Sequence, residues 1–376
     1  MADDSLHIHP CLRDCGYDRE RVFDWLTALL PPMIMAVLYF RWKAAALSVV
    51  AVGGYLMAAY LLVWATKHEQ TKLHVAPAAL SGLLTAFFLP ACAPLWTAAL
   101  FGALTVAFEW LSTLIRKHRK INRFALPTVH PVVLAYVGMR LVFPMVFSAY
   151  TMPAQFSEAD GMVAATPLVA LRGEEVSIEL WQLFFGVRAG AIGEICVAAL
   201  LLTALYLLLR RRIRLIAPAC LLATVALLSW AIWGAPLYAL LAGSLVLAAL
   251  LFADKAYTPS AALDQTVIGV VAAVVTVLIR RFGNWDEGAV VGVLVAQLLV
   301  PFLPFIYRFC RFAWAHIAEW TMRAWVWAKP YLMRLAAFLW ANGKAAAKVV
   351  RATVCRGFRA AISFIKERII KSKNNS

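Results

Sequence analysis

"AAALSVVAVGGYLMAAYLLVWA", residues 44–65, runs for 22 residues without one charged side chain. At 1.5 Å of rise per residue such a helix reaches about 33 Å. The hydrocarbon core of a bilayer is about 30 Å thick and asks for about 20 apolar residues. A helix that is apolar on every face belongs inside a membrane or a very large core. Working outward, similar stretches recur at 22–41, 74–89, 95–115, 128–149, 187–209, 213–232, 236–252, 264–281 and 288–306. The expected fold class is therefore all-α and polytopic, with about ten transmembrane helices.

Composition agrees. The 376 residues are 63% hydrophobic and 15% charged, with a mean hydropathy of +0.76. A soluble domain carries about 25% charged residues and 45–50% apolar ones. The start, "MADDSLHIHPCLRDCGYDRERVFDW", is polar and offers no apolar core ending in a small-residue cleavage site. The first span is expected to act as the insertion signal.

The net charge of +16 is uneven: residues 308–376 hold 14 Lys/Arg against two Glu, a balance of +12, which leaves +4 for residues 1–307. Basic loops follow the fourth span ("RKHRKINR") and the sixth ("RRRIR"). Lys and Arg concentrate on the cytoplasmic side of membrane proteins. Both termini are thus expected in the cytoplasm, and the loop 150–186 outside. That loop carries Glu158, Asp160, Glu174, Glu175 and Glu179 against one Arg172.

The resulting organisation is an N-terminal arm (1–21), a first five-helix half (22–149), the external loop (150–186), a second five-helix half (187–307) and a basic, Trp-rich tail (308–376). An odd number of spans per half makes the halves inverted relative to each other. In the tail, Trp314, Trp320, Trp325, Trp327 and Trp340 precede Lys344, Lys348, Arg351 and Arg359 at helix-like spacing. A basic amphipathic helix next to a membrane lies on anionic lipid. Docking onto an acidic partner is the other reading, and nucleic acid fits neither.

Seven cysteines, an odd number, lie mostly in or beside apolar runs and imply no disulfide framework. His7, His9, Cys11 and Cys15 form one cluster without a second ligand pair, so no metal site is expected. No phosphate-cradling glycine loop and no zinc spacing occurs.

The polar loop contains "DGMVAATPL", residues 160–168. Thr166 followed by Pro167 reads as a helix start, with Thr capping and Pro at the first position. No base sits beside the hydroxyl to activate it as a nucleophile. Three further stretches stand out: "FFGVRAGAIGEI" (184–195), "FADKAYTPSAALDQ" (252–265) and "RRFGNWDEGAVVGVLVAQLLVP" (280–301). Glycines 186, 190 and 193 permit close approach of a ring or a helix. Glu194, at the outer end of the sixth span, is a costly ionisable group at membrane depth. Glu109 and Arg140 are further polar outliers inside apolar spans, able to pair with each other or with partner subunits.

Taken together, these stretches resemble the family of the D subunit of the Rnf complex, a membrane-bound ferredoxin:NAD+ oxidoreductase, over roughly residues 6–307. They are similar, more distantly, to the B subunit of the Na+-translocating NADH:quinone oxidoreductase. The family's external motif is Asp-x-x-Ser/Thr-Gly-Ala-Thr, and a dedicated flavin transferase joins its last Thr to FMN through a phosphodiester. Asp160, Ala165 and the acceptor Thr166 match, while Val163 and Ala164 depart from Ser/Thr and Gly. The resemblance also implies cofactor-binding roles for Gly190, Gly193, Glu194 and Asp254. It implies a second, non-covalent flavin near Asn122 and Phe124, where the family's second Asn has become Ala125.

The implied protein is a flavoprotein subunit in a bacterial cytoplasmic membrane. It would relay electrons between partner subunits whose transfer drives Na+ or H+. The competing classes are a solute channel, resembling ammonium and urea channels in outline, and a membrane scaffold without chemistry. Fold alone does not choose among these.

Overall fold

A computed structural model describes residues 19–66, 75–118, 129–147, 150–153, 168, 179–283, 288–342, 354–357, 359 and 362. Helices joined by turns and buried loops make up the described residues. In order come α1 (Arg19–Ala28), α2 (Leu30–Phe40), α3 (Trp42–Ala65), α4 (Val75–Phe87), α5 (Leu95–His118) and α6 (Pro131–Val142). Then follow α7 (Leu180–Phe185), α8 (Val197–Leu209), α9 (Ile216–Trp233), α10 (Pro236–Leu241), α11 (Leu245–Ala253), α12 (Ala262–Phe282), α13 (Gly288–Leu299) and α14 (Leu303–Asn342). It divides into two compact units, residues 1–301 and 302–376.

Among the described residues, six segments are long and apolar enough to cross a membrane: Arg19–Phe40, Trp42–Ala65, Leu95–Ser112, Ile216–Trp233, Ala262–Phe282 and Gly288–Phe309. The protein is a multi-pass, all-helical membrane protein. The other four expected spans are interrupted or short. The helices α4 and α8 have 13 residues each and α6 has 12, or about 20 Å of rise. The expected span 236–252 is split into α10 and α11 around Gly243. Discontinuous helices are tolerated in membranes where neighbouring groups satisfy the freed backbone.

The first span shows how. Pro31 and Pro32 lack an N–H, so Pro32 cannot bond the Ala28 carbonyl. Thr203 of α8 donates to that carbonyl instead, at 2.7 Å. The helix continues across the step with only a minor break.

The two halves pack alike. In the first, α3 lies along α5; in the second, α9 lies along α12. Small residues make both crossings close. A Cβ on Gly54 would collide with Ala99, and one on Gly102 with the Ala51 carbonyl. A Cβ on Gly269 would stand 2.6 Å from the Ala217 carbonyl oxygen. Lipid supplies no hydrophobic drive between helices, so such backbone approach provides the attraction. The two non-glycine residues with left-handed backbone among those described, Arg41 (φ 53°) and Arg211 (φ 54°), sit in the turns leading to α3 and α9. The outward faces are apolar, with Trp42, Val49, Trp64, Leu209 and Trp230 exposed, as contact with lipid requires.

One end of the bundle is clasped by ion pairs. Asp24 of α1 accepts from Arg210 at 2.8 Å and Arg212 at 2.5 Å, and Arg212 also reaches Glu20 at 3.1 Å. Arg21 donates to Asp254 at 2.6 Å. The clasp joins the start of the first half to the turn after α8 and the end of α11.

The polar outliers are satisfied locally. Tyr55 donates to the Glu109 carboxylate and Ser81 lies 3.4 Å from its other oxygen. Arg140 donates to the Tyr136 hydroxyl at 3.1 Å. Tyr136 itself sits in an aromatic cluster with Phe88, Phe101 and Phe147. In the second unit, α14 carries Pro330 within its 40 residues, and Trp327 stacks on Tyr331 at 5.8 Å.

Candidate cofactor site

The sixth expected span, 187–209, is helical only from Val197. Before it, α7 opens with a reciprocal cap between Glu179 and Gln182 and closes on Gly186, whose φ of 96° suits a residue without a Cβ. From Val187 to Cys196 the chain crosses the protein as a buried loop. Backbone there must be bonded by protein, since lipid offers no partner. Ile192 donates its N–H to the Leu89 carbonyl and Gly193 to the Phe87 carbonyl, both at 2.9 Å. These bonds tie the loop to the unwound end of α4. A Cβ on Gly193 would collide with the Phe87 side chain, so only glycine fits that crossing.

Glu194 is fully buried in this loop rather than at the end of a helix. Its Oε1 accepts from the Ala191 N–H at 3.0 Å, folding the loop onto itself. A Cβ on Gly190 would meet the same Oε1 at 2.9 Å. The expected residues Gly190, Gly193 and Glu194 are thus brought together by local backbone geometry.

Arg188 completes the loop. Its side chain is wholly buried. Nη2 donates to the Glu194 carbonyl at 2.6 Å and lies 3.4 Å from the Gly243 carbonyl, and Nε lies 3.4 Å from that of Ile195. Gly243 is the break between α10 and α11, with φ of 72°. Arg280, at the far end of α12, donates to the carbonyls of Ala239 (2.7 Å) and Ala242 (3.3 Å) in the same turn. Two guanidinium groups therefore converge on one glycine turn.

Two points of the polar loop 150–186 reach this region. Tyr150 packs with Ala189 and Ala191. Leu168 is buried against Gly243, its Cδ1 2.7 Å from where a Cβ would stand. Thr166 precedes Leu168 by two residues in the sequence.

Buried polar atoms around this turn without a hydrogen-bond partner among the described residues include Arg188 Nη1, the Tyr238 hydroxyl and the Ser244 hydroxyl. Buried polar groups are almost always bonded. Their number here marks a place fitted for a polar ligand, and the cationic character suits a phosphate.

Asp254 is not part of this site. It lies at the end of α11 in the clasp with Arg21, and its Oδ1 also accepts from the Ala256 N–H at 3.0 Å. Thr166, Asp160, Ala165, Asn122 and Phe124 lie outside the described residues. Sequence reasoning missed Arg188, Arg280, Tyr238, Ser244 and Leu168. A lone Arg inside a glycine-rich apolar stretch is the one signal that points to Arg188.

Comparison with known proteins bears on the same segments. A family model described as the NQR2, RnfD, RnfE family matches residues 8–111 and 126–312. The chain is 24% identical over 294 residues to the D subunit of the proton-translocating ferredoxin:NAD(+) oxidoreductase complex of Clostridium ljungdahlii, covering 73% of this chain and 86% of that protein. It is 26% identical over 284 residues to the D subunit of the Na(+)-translocating ferredoxin:NAD(+) oxidoreductase complex of Acetobacterium woodii, covering 74% and 85%. With the D subunit of the ion-translocating oxidoreductase complex of Stutzerimonas stutzeri it shares 25% identity over 346 residues, 82% of this chain and 90% of that protein. The family match takes in both helical halves, the clasp and the glycine loop, and the chain belongs to the NQR2, RnfD, RnfE family.

Proposed function

We propose that this protein is the membrane-embedded D subunit of an ion-translocating ferredoxin:NAD+ oxidoreductase complex of the Rnf type, carrying FMN joined to Thr166 by a phosphodiester. Its relatives' names support the complex. The flavin rests on the Asp160–Thr166 motif and on one structural observation. Leu168 docks onto the Gly243 turn, where Arg188 and Arg280 supply two positive charges. A loop tethered there holds its attached phosphate beside cations, which compensate the diester's negative charge.

When bound, FMN supplies a ring that accepts and passes single electrons. The residues of this chain bind and orient it. Gly193 brings the loop against Phe87, Glu194 and Gly190 fix its fold, and Arg188 ties it to the Gly243 turn. The termini lie in the cytoplasm and the Thr166 loop outside in this reading, which the distribution of Lys and Arg supports. Partner subunits donate and accept the electrons, and a flavin transferase installs the cofactor.

The test is production of the protein with a flavin transferase, followed by denaturing electrophoresis and flavin fluorescence. The wild-type band fluoresces, Thr166→Ala is dark, and Thr166→Ser, which keeps a hydroxyl, retains signal. A dark wild-type band in cells able to flavinylate a known substrate refutes the reading.

A further inference from the structure

We propose that the turn at Gly243 is a built phosphate seat, formed by Arg188, Tyr238, Ser244 and the first turn of α11, and that the phosphodiester on Thr166 occupies it. This rests on the flavin attachment proposed above and names the groups that hold it.

Arg188 is the first of these groups. A buried guanidinium costs several kcal/mol unless paired and fully bonded. Its partners are neutral carbonyls, those of Glu194, Ile195 and Gly243, and Nη1 has none among the described residues. Among the described residues no carboxylate pairs with it. Glu194, the acid closest to it in sequence, turns Oε1 to the Ala191 N–H instead. A cation so placed calls for an anion from outside the helices.

Ser244 is the second. It stands at the N-cap of α11, a nine-residue helix. A serine there ordinarily accepts from a backbone N–H of the first turn. Here it makes no such bond, and its hydroxyl is buried and unpartnered among the described residues. The first-turn N–H groups and the positive end of the helix dipole are the ordinary setting for a phosphate.

Tyr238 is the third. Its hydroxyl is buried without a partner among the described residues. The Tyr238 carbonyl accepts from the Ala242 N–H at 2.9 Å, which fixes the residue to the same turn. Guanidinium, two hydroxyls and helix N–H groups together match the oxygens of a phosphate. Leu168, two positions after Thr166 in the sequence, packs at this place. A phospholipid headgroup has the same chemistry, and the test separates the two.

The experiment compares one polypeptide made with and without the flavin transferase. Intact mass reports attachment, and thermal unfolding is followed in a phosphate-free detergent. Flavinylated wild type is expected to unfold several degrees above the bare chain. Tyr238→Phe and Ser244→Ala remove unsatisfied buried hydroxyls, so in the bare chain they are expected to be neutral or stabilising. In the flavinylated chain the same substitutions each lose part of the flavin's increment, a change of sign. Arg188→Gln loses all of it while its mass still shows flavin. An equal increment in all these variants, with flavin present by mass, overturns the seat and leaves the attachment standing. A wild-type mass without flavin overturns the attachment, and the occupant with it. Stabilisation of the bare chain by phosphatidylglycerol over phosphatidylcholine, absent in Arg188→Gln, assigns the seat to lipid and overturns the phosphodiester.

Discussion

Leu168 and Gly243 are in van der Waals contact across the protein, and only the absence of a Cβ on Gly243 allows it. The contact fixes Leu168, midway along the polar loop 150–186, to the break in a membrane helix. Gly243 also holds a φ of 72°, which costs an L-residue about 1–2 kcal/mol. Gly243→Ala therefore suffers twice. It is expected to lower stability by about 1–2 kcal/mol from backbone strain alone and by more through displacement of Leu168. Adding Leu168→Ala relieves the second part and not the first. Thermal unfolding of the single and double variants measures this, and a double variant as stable as wild type contradicts it.

Gly193 and Gly190 are expected to differ in their tolerance of alanine. At Gly193 the new methyl meets the Phe87 side chain where the backbones are hydrogen-bonded to each other. At Gly190 it meets the carboxylate end of Glu194, the far end of a longer side chain, rather than atoms next to backbone. Overpacking costs about 1–3 kcal/mol. Gly193→Ala is expected at or above the upper end, with loss of folded protein on size exclusion, and Gly190→Ala near the lower. The reverse order would show that the loop is seated otherwise.

Asp254 is expected to act through the clasp rather than on a cofactor. Its carboxylate is buried but Arg21 is about one-third exposed, with side-chain accessibilities of 6% and 32%. Water screens such a pair, so Asp254→Asn is expected to cost about 1 kcal/mol or less. In a double-mutant cycle Arg21→Gln and Asp254→Asn couple, and each alone leaves flavin fluorescence unchanged. Loss of flavin in Asp254→Asn with stability intact would return Asp254 to the cofactor site.

Much of this architecture is legible in the sequence, and the remainder is not for a physical reason. Residues 44–65 and 264–281 announce continuous spans because length and hydropathy are the whole requirement for crossing lipid. Residues 187–196, with Arg188 and Glu194 among apolar residues and glycines, read as the start of a span yet form a loop. Burial selects apolar side chains in either conformation, and what decides between them is tertiary: carbonyls of Phe87 and Leu89, about 100 residues earlier, accept the loop's N–H groups. Gly190, Gly193 and Glu194 are readable as a group because they are neighbours in sequence. Arg188, Tyr238, Ser244 and Arg280 are not, since only folding brings four distant positions to one turn. Asp254 looks functional for being a lone acid in an apolar stretch, and its partner Arg21 lies 233 positions away.

Cys92 offers a probe of orientation. It is an exposed thiol between α4 and α5, a turn placed outside by the proposed topology. Partial burial pushes its pKa up, its own backbone hydrogen bond and Lys43 opposing that only in part. Thiolate is the reactive form, and a raised pKa leaves less of it near neutrality. In a variant keeping only Cys92, an impermeant methanethiosulfonate is expected to label intact cells from outside. The rate should rise about tenfold per pH unit up to the raised pKa. Labelling only after the cells are opened would invert the topology.

The flavin on Thr166 is the feature on which the proposed electron relay depends. Intact-protein mass spectrometry of the chain purified from cells containing a flavin transferase tests it most directly. The predicted result is a mass greater than the polypeptide by one FMN less the water lost on esterification, located to the peptide holding Thr166 and absent from Thr166→Ala. A wild-type mass equal to the bare polypeptide would contradict it.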